Sequence, residues 1–63
     1  MYRFDTSKSI KINQVIASKV IGITQPNLSK ILRGQVLCRK VVAFSIVKYI
    51  CDKAEIEDYF IRE

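Results

Sequence analysis

The sequence predicts an all-α domain of four to five short helices. Three observations carry that reading. Apolar residues recur every three to four positions in separate runs, the two glycines and the single proline fall between or at the edges of those runs, and no turn signal interrupts the β-branched stretch after Gly34. A chain of 63 residues makes one domain, residues 1–63, at a size where a single core gives only marginal stability.

At the front, "MYRF" reads as extended, and Asp5, Thr6 or Ser7 can cap a helix of one or two turns ending near Ile12. The next helix is clearer. In "NQVIASKVI", Ala17, Val20 and Ile21 repeat at helical spacing, Asn13 stands where a cap belongs, and Gly22 supplies the left-handed stop. Ile23 follows at once and pins the turn to a core. Thr24 is a good N-cap, and Pro26 falls in the first turn of the following helix, where a missing N–H costs nothing. Leu28, Ile31 and Leu32 form the inner face of that helix, with Gly34 available as its stop. Its other side carries Gln25, Ser29 and Arg33 four apart, with Pro26 and Lys30 beside them, a stripe of donors with two cations and no acid.

Beyond Gly34, "QVLCRKVVAFSIVKYI" would pass as strand on propensity alone. Its apolar spacing through Val42 or Ala43, Ile46 or Val47, and Ile50 predicts a helix from about Lys40 to Lys53 instead. "EIEDYFI" reads as a closing short helix with Glu55, Glu57 and Asp58 in its first turn, where the helix dipole favours negative charge.

The formal charge of +5 hides an asymmetry. From Thr6 to Cys51 there are eight Lys or Arg residues and no acid, whereas Asp52 to Glu63 holds five acids against two cations. A basic body of this kind suggests a polyanionic partner, though a solvated basic surface would look the same. Histidine is absent and Cys38 and Cys51 have no metal-ligand spacing, so the sequence implies neither a metal site nor a cofactor, and both thiols are expected to be buried and free in a reducing cytoplasm. Without a His, a phosphate-cradling loop or paired carboxylates in a pocket, an enzyme is the least favoured class. The apolar runs are too short and too broken by Lys and Arg to cross a bilayer.

From Gln14 to Gly34, "QVIASKVIGITQPNLSKILRG" resembles the Cro and lambda-repressor-like helix-turn-helix family without a gap over 21 residues. Gln14, Ala17, Ser18, Gly22, Ile23, Thr24, Gln25, Leu28, Ser29, Ile31 and Gly34 fill its slots. The resemblance implies a lambda-repressor-like all-α fold and a surface for double-stranded DNA. Gln25 would read a base edge, its amide bonding adenine N6 and N7 together, while Gln14 would touch phosphate and steady Gln25. Pro26 and Lys30 match two further base-facing slots, Lys30 within reach of guanine O6 and N7 and Pro26 able only to touch a thymine methyl. Thr24, Asn27, Ser29 and Arg33 would flank the groove and hold phosphates, with Arg39 and Lys40 adding charge at its edge. It also implies a transcriptional regulator, a small phage- or mobile-element-type repressor acting as a homodimer on a palindromic operator.

Val15, Ile16 and Val20 depart from the family, which usually has polar residues there. That extra apolar surface suits a second reading on the same fold, a protein-binding module such as an antitoxin or a phage-encoded inhibitor of the anti-CRISPR kind. RNA binding is weaker, since no aromatic-rich sheet or glycine-rich clamp is visible. Tyr49, Tyr59 and Phe60, in the acidic third, are expected in the core or at a dimer contact.

Overall fold

The first helix of the structure, a computed structural model describing residues 1–8 and 10–63, begins where the sequence places it. Asn13 Oδ1 accepts the N–H groups of Val15 at 3.0 Å and Ile16 at 3.2 Å, satisfying two donors that the helix itself cannot. This helix, α1, spans Gln14–Ile21 and buries Ala17 and Ser18. Gly22 ends it at φ +91°, and the Ser18 carbonyl accepts from both Gly22 and Ile23. Helix α2 spans Gln25–Leu32, with Thr24 Oγ1 accepting the Asn27 N–H at 3.3 Å. It stops in a Schellman turn: Gly34, at φ +72°, donates to the Ile31 carbonyl, and Gln35 donates to that of Lys30. Helix α3 spans Lys40–Ile50 and buries Ala43, Ile46 and Val47.

Two short strands complete the fold. β1, Tyr2–Phe4, pairs antiparallel with β2, Phe60–Arg62, in the register Tyr2 to Arg62, Arg3 to Ile61 and Phe4 to Phe60. Tyr2 also exchanges two 2.8 Å backbone hydrogen bonds with Cys38. The architecture is therefore mixed, three helices and a two-stranded antiparallel sheet, and it overturns the expected all-α, four- to five-helix lambda-repressor-like fold.

Each departure has a local cause. The expected helix ending near Ile12 is not formed by the described residues around it; Ser9, which it would include, lies outside them. Asp5, Thr6 and Ser7 use their capping chemistry to close a turn instead: Asp5 Oδ1 accepts from the Ser7 N–H and Oγ, and the Asp5 carbonyl accepts from Lys8. Ile10 and Ile12 are then half-buried with Lys11 exposed between them, a two-residue period that belongs to extended chain. The long helix ends at Ile50 and not Lys53 because Lys48 Nζ, lying 5.2 Å from the Phe44 ring centroid, draws the carbonyls of Asp52 and Ala54 back over its end. The closing helix is only a single 3-10 turn at Ile56–Asp58, after which the chain extends. Extension lets Phe60 point inward to meet Phe4 edge-on, with ring centroids 5.3 Å apart, which outweighs a second helical turn for a β-favouring Tyr-Phe-Ile run.

The core joins both strands to all three helices: Tyr2, Phe4 and Phe60 close over Ala17, Leu28, Ile31, Ile46 and Val47. Cys38 is buried among them, and burial pushes its thiol pKa up. Cys51 is exposed, contrary to the expectation of two buried thiols, because it follows the last turn of α3. No helix among the described residues is long and apolar enough to cross a membrane.

Candidate nucleic-acid interface

Helix α2 divides into two faces as its sequence requires. Leu28 is fully buried and Ile31 is 2% exposed, and these two side chains sit in the core on the face of α2 that packs against α1 and β1. Gln25, Pro26, Asn27, Lys30 and Arg33 are exposed and Ser29 is half-buried. None of these side chains is packed beneath another part of the molecule. Thr24 is exposed as well; its oxygen caps the helix as an acceptor, which leaves its hydroxyl hydrogen free to donate outward. Arg33 Nε makes a long 3.4 Å contact to the Ser29 carbonyl, which steers the side chain along the helix and leaves its terminal nitrogens available.

The other expected residues fall into two places. Gln14, half-buried at the first turn of α1, lines an open groove of about 950 Å³ together with Arg33. Arg39 and Lys40 are exposed at the start of α3 and share a smaller depression with Met1, Tyr2 and Arg62. The structure thus joins Gln14 to the C-terminal end of α2 but sets Arg39 and Lys40 beside the two strands.

The electrostatics of this surface are one-sided. Among the described residues the single ion pair is Arg3 with Glu63, Nε to Oε2 at 2.9 Å with a second hydrogen bond at 3.0 Å, and it staples the strand ends. Lys30, Arg33, Arg39 and Lys40 therefore have no carboxylate within salt-bridge reach, and their charge is directed to solvent or to whatever approaches. Five of the six acids lie at Asp52 to Glu63, where Asp58 accepts the Glu55 N–H at 2.8 Å, and the sixth is Asp5.

Residue-by-residue reading missed Lys8, Lys11 and Arg62, which line the two depressions. A signal for the first two existed: both belong to the acid-free basic run, but the mistaken first helix gave them no definite direction. Among the described residues no group of His, Cys, Asp or Glu is arranged to hold a metal ion.

No known family model, curated protein or solved structure matches the chain.

Proposed function

We propose that this protein is a sequence-specific double-stranded DNA-binding regulator of transcription, a small repressor of the phage or mobile-element type. The observation that carries the reading is the face of α2: two buried aliphatic anchors hold the helix, while Gln25, Pro26, Asn27, Lys30 and Arg33 stand exposed with no acid paired to them. An α-helix fits the major groove, and an amide and an ammonium on its outer side are the donors and acceptors needed to distinguish base edges there. The motif resemblance from Gln14 to Gly34 supports the same assignment.

In this mechanism Gln25 reads adenine through a paired hydrogen bond, Lys30 reaches guanine, and Pro26 contacts a thymine methyl. Thr24, Asn27, Ser29, Arg33 and Gln14 hold phosphates and set the register, and Arg39 and Lys40 extend the attraction. Homodimerisation on a palindromic operator would double the footprint and cover apolar side chains that one copy leaves in water; the protein would act in the cytoplasm, where both thiols stay reduced.

Selection of bound duplexes from a random pool at stated salt tests the reading. A recovered consensus should lose one base preference and about 1 to 3 kcal/mol in the Gln25→Ala variant. If the pool yields no enrichment over non-specific binding, the assignment fails.

A second reading is favoured by one specific observation: Val15, Ile16 and Val20 on α1 are 45%, 53% and 66% exposed. Such a patch suits a protein partner, as for an antitoxin or a phage-encoded inhibitor of the anti-CRISPR kind. A stoichiometric protein partner recovered together with an absence of duplex enrichment would select it over DNA binding.

A further inference from the structure

We infer that the open groove that residues 6–8 and 10–12 form with the C-terminal end of α2 is a seat for phosphoryl oxygens, with Lys8 and Lys11 acting as donors beside Arg33 and Gln14. The proposal deepens the DNA-binding reading when the phosphates come from the duplex backbone, but the site is defined by its own chemistry.

Its about 950 Å³ are lined by these three cations and Gln14 together with apolar residues that include Phe4 and Leu32. Among the described residues lining it, none is acidic. The nearest acid in sequence, Asp5, is not among the lining residues, and one of its oxygens accepts from the Ser7 backbone and hydroxyl, the latter at 2.6 Å. Three like charges around one concavity repel one another, and an anion relieves that repulsion. A phosphate offers more acceptor oxygens than a carboxylate and matches a set made only of ammonium, guanidinium and amide donors. The volume exceeds what one phosphate fills, as expected for a stretch of sugar-phosphate backbone.

The wall is held in place by a close backbone approach. A Cβ on Gly34 would lie 3.1 Å from Thr6 Cγ2 and 3.6 Å from the Phe4 carbonyl oxygen, so the turn that carries Lys8 rests against the turn that ends α2, next to Arg33. Lys8 and Lys11 are exposed and can be exchanged without disturbing the core.

The test compares the parent with the Lys8→Gln/Lys11→Gln double variant. Duplex affinity measured across a salt series should show the logarithmic slope falling by about 2 in the variant, equally for every duplex sequence, with the base preference unchanged. A parent that binds duplex and a variant with the parent's slope would overturn the groove while leaving the DNA reading intact. If the parent binds no duplex, the DNA reading fails, and titration with inorganic tripolyphosphate against chloride of equal ionic strength decides the groove. Saturable NMR shifts at Lys8, Lys11 and Arg33, lost in the double variant, would support it as a site for free phosphate. Shifts no larger than chloride produces would overturn it.

Discussion

The contrast between the two glycines gives the sharpest test of the packing, because both adopt left-handed backbone but only one is crowded. At Gly22 a new Cβ meets nothing within 4 Å, so Gly22→Ala should report backbone strain alone. Left-handed geometry costs an L-residue about 1 to 2 kcal/mol, and the stiffer unfolded chain offsets about 0.4 to 1 kcal/mol of that, leaving a net loss of about 1 kcal/mol. Gly34→Ala carries the same backbone cost and adds a contact with Thr6 Cγ2 at 3.1 Å, a few tenths of an ångström inside the preferred separation. Because Thr6 is exposed and can shift, the added cost should be about 0.5 to 1 kcal/mol and not several. Urea denaturation followed by far-ultraviolet circular dichroism would measure both variants and the Thr6→Ser cycle. For a domain this small, 1 kcal/mol moves Tm by about 4 to 8 °C, so the difference is resolvable. Thr6→Ser removes the offending methyl and should return about 0.5 kcal/mol to Gly34→Ala and nothing to Gly22→Ala. Equal losses at the two glycines, or no coupling to Thr6, would refute the claim that the 5–8 turn rests on the end of α2.

Other outcomes follow from particular contacts. Lys48→Met should cost about 1 to 2 kcal/mol in thermal denaturation by freeing two carbonyls that the ammonium now holds. Phe60→Ala should cost about 3 to 5 kcal/mol, enough to leave most of the chain unfolded at 25 °C by tryptic digestion, since Phe60 and Phe4 together close the core. Cys51 should react with a thiol reagent at once and Cys38 only as fast as β1 undocks; raised by burial, the Cys38 thiol stays neutral while the unfolded thiol ionises, so stability should hold below the ordinary thiol range and fall as pH rises through it. Asp5, lowered first by its side-chain hydrogen bond from Ser7, should titrate in NMR below the usual carboxylate range; its contribution is present above that range and lost as pH falls through the lowered value, and Ser7→Ala should move the midpoint up.

What the sequence makes legible is the local part of the fold. Asn13, Gly22, Thr24, Pro26 and Gly34 set helix starts and stops through contacts within five residues, and those positions can be read from spacing alone. The extended start at Tyr2–Phe4 could be read, but its partner strand could not, because Phe60 is drawn out of a helical pattern by Phe4, 56 residues earlier, through an edge-on ring contact that no local window contains. Asp5 and Ser7 illustrate a different difficulty: a residue that caps a helix also closes an Asx turn, and the choice falls to the extended Ile10 and Ile12 that follow. The exposed stripe on α2 was legible because Leu28 and Ile31 fix which side turns outward, while the contribution of Lys8 and Lys11 depended on a fold-level approach at Gly34.

The pairing of residues 2–4 with residues 60–62 also imposes an order on biosynthesis. As the chain leaves the ribosome, Tyr2 can pair with Cys38 first, but Arg3 and Phe4 have no strand partner until residues 60–61 follow. Until then Phe4 lacks the ring that covers it edge-on, so a chaperone that recognises aromatic segments would meet Phe4 before Phe60 does.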